Sequence, residues 1–506
     1  MTLRFHDDGT FRVLQMADIQ DKPDVNTDTI RLIAAAIQEA NPDLVVFTGD
    51  QIRGYDPAYI DTFLRRRDEQ PGARVRLITE IEAKLYGFKR RNPHAAEFAN
   101  RVANHIEAKG NDVPAVLAGD EPPTLAALLD ETRDKVRRTF AAFLAPVVNA
   151  GIPFAATYGN HDFQCGILPD EQDDIYREFP GCLNPPATRH SSVSTDRPST
   201  MTSNDKQTTP SEDDHALALE PGTFALPIVS SDGSGRIAMS VMMVNSGDYA
   251  GKPEENDAQY PAYAVNSRGL DLADSDGYGT PSPEAITWLE TVQRTLGRMN
   301  GDNQPVPAIA FQHIPPQEFY DCLREVPAWT PNAVEGTRTH TGHCYVLDES
   351  VCRPGSLLGE AIGCADENVG QIEAMRQAGG YFALFCGHDH KNAFVGHVHD
   401  MDLGYAPTCG FECYGPKSRL RGIRLFEFHE DNPSAYETRM LTWGDLVGRY
   451  SSDELRVFFE DHCVTDVTGL RNELRRPAVF ATLSGLAVAA LAGISAMLSK
   501  AIRGTD

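Results

Sequence analysis

Basic residues are scarce in this 506-residue chain, with 46 Lys and Arg against 72 Asp and Glu, a formal net charge of −26. Broad nucleic-acid binding is therefore not expected, because phosphate backbones need neutralisation by Lys and Arg. The same charge repels anionic substrates unless bound metal ions reverse the field locally. Internal repeats are also absent, which excludes solenoid architectures.

The ten cysteines lack the spacing of a structural zinc site, since no CxxC pair occurs. Residues 1–10 contain no apolar signal segment, so we expect no export and mostly free thiols in a reducing cytosol. If the domain is extracytoplasmic after all, the alternatives are pairings between Cys409 and Cys413 or between Cys344 and Cys352.

Long apolar runs are missing except at the C-terminus, where residues 477–499 carry no charge and Arg476 and Lys500 flank them. About 20 apolar residues span a bilayer core, and basic flanks suit its interfaces. We therefore predict a transmembrane helix over 477–499 that anchors a cytoplasmic catalytic domain to the membrane. A buried or oligomerising helix is the alternative.

Apolar segments and a helical pattern alternate near the N-terminus. Residues 11–16 and 43–48 are continuous apolar strands, and 29–40 between them has helical periodicity. Strands buried on both faces are typical of a parallel or mixed sheet. Ser282 and Pro283 predict the start of a helix. Further strands are predicted at 153–157, 237–244, 307–311 and 381–386, followed by hairpin strands of a second sheet at 393–398, 422–428 and 435–441.

Composition divides the chain further. Residues 1–60 and 131–450 form the predicted catalytic domain, and 61–130 is charged and helical, typical of an insertion. Residues 184–214 are rich in Ser, Thr and Pro with few apolar residues, which predicts a disordered loop.

Polar clusters follow the apolar strands. They are Asp18-Ile-Gln20, Gly49-Asp50, Gly159-Asn160-His161-Asp162, His313 and Gly387-His388-Asp389-His390. Ligands of α/β sheets gather outside the carboxyl ends of strands, so these side chains are expected to meet. A mixture of carboxylate, amide and imidazole suits Mn, Fe or Zn better than calcium.

The order D-x-H/Q, GD, GNHD, H, GHxH resembles that of the calcineurin-like metallophosphoesterases. More narrowly, it is similar to the purple-acid-phosphatase-like branch that contains the yeast dose-dependent cell-cycle regulator phosphatase. The resemblance covers roughly residues 10–60 and 133–445. It implies an α/β fold, a four-layer α/β/β/α sandwich of two mixed sheets.

The resemblance also implies a hydrolase that cleaves a phosphate ester by attack of a metal-bound hydroxide at a binuclear site. A phosphomonoesterase is the first interpretation, and a phosphodiesterase or nucleotide hydrolase is the alternative. An inactive membrane-tethered scaffold is the alternative from a different class.

Seven ligands of two divalent ions are implied: Asp18, Gln20, Asp50, Asn160, His313, His388 and His390. Asp50 would bridge the ions. Asp18 and His390 would hold the first, with Gln20 a weaker ligand where the family usually has histidine. The remaining three would hold the second. His161 would act on the phosphoryl oxygen or leaving group, and Asp162 would orient its ring.

Other polar residues near these motifs have separate predicted roles. Arg53 stands where true purple acid phosphatases carry their charge-transfer tyrosine, so no such Fe(III) site is expected. Arg53, Lys391 and Asn392 are predicted to contact an anionic substrate group. His397 and His399 repeat the GHxH spacing but share one face of an alternating segment, which favours a hairpin strand over a metal site.

Overall fold

The structure, a computed structural model, describes residues 2–56, 58–59, 62, 124–186, 216–250, 275–462 and 467–503. Most of the predicted insertion (61–130) and of the predicted disordered loop (184–214) lies outside these residues, so both remain predictions. The described α-helices are α1 (Thr27–Ala40), α2 (Leu125–Asn149), α3 (Pro169–Tyr176), α4 (Pro283–Asn300), α5 (Gln371–Ala378), α6 (Trp443–Leu446), α7 (Glu454–Asp461), α8 (Val467–Arg475) and α9 (Pro477–Arg503).

Two mixed sheets form the centre of the fold. The second sheet contains, in spatial order, β16 (Glu437–Thr442), β15 (Gly422–His429), β2 (Thr10–Met16), β3 (Leu44–Thr48) and β4 (Phe154–Thr157). Strands β2, β3 and β4 are parallel, and β15 and β16 are antiparallel to their neighbours on the β2 side. The first contains, in order, β1 (Leu3–Arg4), β6 (Thr223–Val229), β7 (Ile237–Met243), β8 (Ala308–Gln312), β12 (Tyr381–Cys386), β14 (Met401–Tyr405) and β13 (Val395–Val398), with β5 (Ala218–Glu220) beside β6. The predicted α/β fold with two mixed sheets is therefore confirmed.

A third, three-stranded sheet was not predicted from the sequence. It is antiparallel, in the order β10 (Val334–Glu335), β11 (Cys344–Leu347) and β9 (Leu323–Val326). Strands β9 and β11 are short and partly exposed, and β10 has only two residues, so none shows the apolar pattern that marked the central strands.

The two large sheets pack face to face and carry helices on their outer faces. Val46 and Phe385, one from each sheet, belong to the cluster between the sheets. Their neighbours Phe47 and Leu384 point the opposite way, into the clusters that contain side chains of α2 and of α4 and α5, respectively. This alternation follows from the period of two along a strand. Strands buried on both faces therefore read as continuous apolar runs.

Helix starts follow from local capping. Asn26 caps α1 by accepting a hydrogen bond from the Asp28 backbone. Ser282 caps α4 in the same way from Ala285, with Pro283 at the first helical position, as predicted. The predicted hairpins lie in different sheets, however: β13 pairs with β14 in the first and β15 with β16 in the second. Hairpin patterns specify local pairing but not which sheet a pair joins.

The prediction of a transmembrane helix over 477–499 is not supported. Among the residues that the structure describes, no single helix combines the length and apolar character needed to cross a bilayer. Helix α8 and the Pro477–Ala492 part of α9 meet that requirement only as a pair, by length and composition, with a bend of 86° between them.

Candidate metal centre

The seven predicted ligands follow strands whose carboxyl ends meet. Strands β2, β3 and β4 are parallel neighbours, and so are β8 and β12 in the other sheet. Two groups of donor atoms result, one from Asp50, His313 and His388 and the other from Asp18, Asp50 and His390. Within each group the donor atoms lie within 4.8 Å of one another, and Asp50 belongs to both. The geometry therefore brings the carboxylate and imidazole candidates together around one shared aspartate.

The backbone at these strand ends is strained. Asp18, Gln20, Asp50 and His388 have φ angles of +53°, +42°, +54° and +76°, in the left-handed region that non-glycine residues rarely adopt. Each such residue costs about 1–3 kcal/mol and persists only where its surroundings impose it. Strain concentrated on four candidate ligands is typical of a functional site.

Two glycines allow the strand ends to approach. A Cβ on Gly49 would lie 2.5 Å from His313 Nδ1, and one on Gly159 would lie 2.3 Å from Asp50 Oδ1. Gly49 also has a φ of +88°. A side chain at either position would displace a candidate ligand.

The atoms expected to hold the second ion lie close to one another. His313 Nδ1–H donates to the Thr48 carbonyl at 2.9 Å, which leaves the Nε2 lone pair of the neutral ring free. That Nε2 lies 3.2 Å from Asp50 Oδ2, 3.2 Å from Asn160 Oδ1 and 3.2 Å from His388 Nδ1. Without a metal, a proton on His313 Nε2 shared with the Asp50 carboxylate relieves the crowding of these electron-rich atoms, and a divalent cation would take the place of that proton.

The first-ion donors repeat this arrangement. His390 Nδ1–H donates to the Tyr414 carbonyl at 2.6 Å, so its Nε2 faces Asp18 Oδ1 at 3.3 Å. Gln20 lies beside them, with its amide nitrogen 3.3 Å from Asp50 Oδ2. These carboxylate, amide and imidazole groups, together with those around His313, fit two divalent ions.

His161 stands at the edge of the centre. Its Nε2 is 3.9 Å from Asp50 Oδ2, and its side chain is 20% exposed. The Nδ1 atom bonds Gln164 Oε1 at 2.7 Å, which fixes the ring orientation and the tautomer. Sequence reasoning missed Gln164, although its position three residues after His161 in a short 3₁₀ turn is a local signal.

The predicted role of Asp162 in orienting His161 is wrong. Its carboxylate accepts hydrogen bonds from the backbone N–H groups of Asp50 at 2.7 Å, Ile52 at 2.9 Å and Gly159 at 2.9 Å. Asp162 is turned toward the loop behind Asp50 because three unsatisfied N–H groups at the strand ends need an acceptor. It therefore positions Asp50.

The electrostatics follow from burial and proximity. Burial raises the pKa of Asp50, but His313 and His161 outweigh burial, so its pKa lies below the usual range. Burial lowers the pKa of His313, yet the Asp50 carboxylate outweighs it and raises the value to about 9. Burial lowers the pKa of His161, which favours its neutral ring. Burial and the Asp50 charge raise the pKa of Asp162.

Two of the predicted substrate contacts have protein partners in the structure, and their contact with substrate stays a prediction. Lys391 Nζ donates to the Asp461 carbonyl at 2.9 Å, and Asn392 Oδ1 accepts from the backbone of Gly359 at 2.9 Å. Residues adjacent to a ligand motif in sequence point elsewhere when the turn reverses the chain. Arg53 is buried and donates to the Glu412 carbonyl at 3.0 Å; its contact with substrate stays a prediction.

The repeated GHxH segment begins on β13 and ends in the turn that follows it, away from both donor groups. His397 Nδ1 bonds Asp402 at 2.9 Å, and His399 Nε2 bonds Asp321 at 2.7 Å. Neither histidine belongs to a potential metal-binding group within the described part of the chain. The hairpin interpretation is confirmed.

Aromatic rings pack against the site histidines. Tyr414 stacks on His390 with centroids 4.1 Å apart, Tyr278 meets His388 edge-on at 4.4 Å, and Tyr55 meets His161 edge-on at 4.8 Å. The Tyr249 hydroxyl accepts from Asn160 Nδ2 at 2.8 Å, so the Asn160 oxygen is free to face the centre. These contacts come from distant loops and carry no motif.

No family model matches the chain. Two Arabidopsis thaliana proteins are each 22% identical to it. "Probable inactive purple acid phosphatase 29" aligns over 323 residues (61% of this chain, 65% of the relative), and "Probable inactive purple acid phosphatase 14" over 302 residues (59% and 60%). The chain thus spans less than two thirds of each relative.

Among solved structures, a dimetal phosphatase from Danio rerio covers 86% of this chain and 99% of its own length. Its sequence identity is 12% and its TM-score is 0.35. A TM-score this low carries no argument about function.

Proposed function

We propose that the protein is a metal-dependent phosphoesterase, and a phosphomonoesterase in the first instance. The observation that carries this proposal is the pair of donor groups that share Asp50, with His161 at their edge. The similarity to proteins named purple acid phosphatases supports it. The narrower resemblance to the branch with the yeast cell-cycle regulator phosphatase is part of the same proposal.

Asp18, Gln20, Asp50 and His390 would hold one ion, and Asp50, Asn160, His313 and His388 the other. When bound, such an ion pair lowers the pKa of water and neutralises charge on phosphoryl oxygens. Asp18 and Asp50 supply two negative charges against four on two divalent ions, so the loaded centre attracts phosphate despite the acidic surface.

His161 would manage the proton that hydrolysis must deliver to the leaving oxygen. With Nδ1–H held by Gln164, the Nε2 atom faces the open side of Asp50. An anionic phosphoryl group beside Nε2 would raise the pKa of His161, which favours the protonated ring that donates. Hydrolysis then yields an alcohol and phosphate, with the water proton replacing the one donated.

The alternative from another class is an inactive scaffold, because both relatives are named inactive. The complete donor set and the ordered His161–Gln164 pair favour activity. The alternative within enzymes is a phosphodiesterase or nucleotide hydrolase, which uses the same ions and histidine.

Initial rates with p-nitrophenyl phosphate and bis(p-nitrophenyl) phosphate test the proposal, using full-length protein with Mn²⁺, Zn²⁺ or Fe²⁺. Faster monoester turnover is expected, and faster diester turnover would favour the alternative enzyme. His161→Ala should lower kcat by about 10²–10⁴. The matched control His397→Ala, on a surface hairpin, should leave kcat unchanged. If folded protein binds two ions but turns over neither substrate, the result would favour the inactive scaffold.

Membrane attachment of a cytoplasmic catalytic domain is also kept as a proposal. Helix α9 exposes several large apolar side chains: Phe480, Leu483, Leu486, Val488, Leu491 and Ile494. Exposed apolar surface of this kind favours a lipid or protein contact. Full-length protein should sediment with membranes, and Leu486→Lys/Leu491→Lys should release it. Wild-type protein that is soluble without detergent would contradict the proposal.

A further inference from the structure

Among the candidate ligands, Gln20 is the one whose side-chain position the contacts described above explain least. Its backbone has a φ of +42°, and its N–H donates to the Asp50 carbonyl at 2.7 Å, which fixes the residue against the loop of the bridging aspartate. The side chain is only 1% exposed, and its amide oxygen Oε1 has no hydrogen-bond partner. Burying an amide oxygen without a partner is unfavourable by about 1–3 kcal/mol. A bound cation at the centre would supply that partner.

Two other buried glutamines show that an unpartnered amide oxygen alone does not mark a metal ligand. Gln15 and Gln51 also have an unpartnered Oε1. Their amide nitrogens, however, donate to backbone carbonyls, Gln15 to Cys386 at 3.1 Å and Gln51 to Thr157 at 3.3 Å. The Gln20 amide instead faces the Asp50 carboxylate of the candidate metal centre.

The Gln20 amide reaches the position that a ligand needs. Its nitrogen lies 3.3 Å from Asp50 Oδ2, and rotation of the amide by 180° exchanges nitrogen for oxygen there. Two oxygens about 3 Å apart are the usual spacing of neighbouring ligands around one ion with bonds of about 2.1 Å. The rotation breaks the hydrogen bond from the amide nitrogen to Asp50. A cation bound by both oxygens would replace that interaction.

We propose that Gln20 Oε1 ligates the first ion and lowers the ratio of Zn²⁺ affinity to Mn²⁺ affinity at this site, relative to a histidine at the same position. The inference rests on the binuclear centre of the proposed function. The first site then has three oxygen donors and the single imidazole of His390. The second has two imidazoles, from His313 and His388. Oxygen donors suit Mn²⁺, and imidazole favours Zn²⁺, so the two sites differ in metal preference.

Calorimetric titration of metal-free full-length protein with Mn²⁺ and with Zn²⁺ tests this without any turnover. Wild type should bind two Mn²⁺ ions, one more weakly. Gln20→Met keeps the size but removes the hard ligand, and should weaken one Mn²⁺ site by at least about tenfold. Gln20→His should raise Zn²⁺ affinity at that site and so raise its ratio of Zn²⁺ affinity to Mn²⁺ affinity. Gln51→Met, a matched loss of a buried amide, should leave both affinities unchanged.

The outcomes separate this inference from the proposed function. Unchanged Mn²⁺ binding in Gln20→Met, with circular dichroism showing a folded protein, would overturn the ligand role of Gln20. The same ratio of Zn²⁺ affinity to Mn²⁺ affinity in wild type and Gln20→His would overturn the proposed effect on metal selectivity. Two Mn²⁺ ions bound with the predicted Gln20 dependence, but no phosphoester turnover, would contradict the proposed function alone.

Discussion

The carboxylate of Asp162 holds the loop that carries Asp50, accepting a hydrogen bond from the Asp50 backbone N–H at 2.7 Å. The same carboxylate accepts from Ile52 and Gly159, so it joins the ends of β3 and β4 beneath the candidate metal centre. The left-handed backbone of Asp50 is thereby imposed by its surroundings.

Asp162→Ala leaves three buried N–H groups without an acceptor. We expect the free energy of unfolding of the metal-free protein to fall by at least about 3 kcal/mol, because each orphaned donor costs about 1–3 kcal/mol. Chemical denaturation followed by circular dichroism measures this. The control Asp174→Ala removes a largely exposed carboxylate that pairs with Arg177 and should cost less than about 1 kcal/mol. Equal losses in the two variants would contradict the role of Asp162.

Gln164→Ala should reduce kcat while KM changes little, because Gln164 orients the His161 ring without a contact to substrate. A loss of about tenfold is expected from the range seen for partners that orient a functional histidine. Steady-state kinetics with p-nitrophenyl phosphate give both constants. Gln377→Ala on the exposed face of α5 is the control. A raised KM with unchanged kcat would assign Gln164 to substrate binding instead.

Asp173 makes stability depend on pH. It is buried and accepts from the Tyr158 hydroxyl and, at 2.7 Å, from Asn184, and burial raises its pKa to about 7. The folded state therefore binds this proton more tightly than the unfolded chain. Its stabilisation is fully present below about pH 4 and is lost as pH rises to about 7, by up to about 1.4 kcal/mol per pH unit.

Asp173→Asn removes this titration. Denaturation midpoints of wild type and variant, measured from pH 4 to pH 8, should therefore converge or cross as pH rises, since only the wild type loses the contribution. Asp174→Asn, the neighbouring residue with an exposed carboxylate, serves as the control. Parallel curves for wild type and Asp173→Asn would show that Asp173 titrates normally.

Lys391→Met should change KM by less than about twofold, since its ammonium group bonds the Asp461 carbonyl. The same assay distinguishes it from Arg53, whose contact with substrate is still a prediction. A several-fold rise in KM for Lys391→Met would restore the sequence-based interpretation of Lys391.

Much of the fold was predictable because its strands are buried on both faces. The continuous apolar runs ending at Met16, Thr48 and Cys386 mark strands β2, β3 and β12 within one residue of their ends. Polar residues directly after such runs must lie at the carboxyl edge, so the candidate ligands were found from the sequence. The short half-exposed strands β9 and β11 gave no such signal.

Interactions between distant loops were not predictable from the pattern. The stacking of Tyr414 on His390 and the bond from Asn160 to Tyr249 depend on how loops from both sheets meet. The direction of the Asp162 side chain was missed for the same reason. Its partner is decided by which buried N–H groups lack an acceptor, and this is a tertiary property.

The central claim is that two ions joined by Asp50 carry phosphoester hydrolysis. The most direct measurement is the rate of p-nitrophenyl phosphate hydrolysis by chelator-treated full-length protein against added equivalents of Mn²⁺. We expect no hydrolysis without metal and a rise in rate that ends at two equivalents per chain. Folded protein that binds two equivalents without turnover, or turnover that is complete at one, would contradict it.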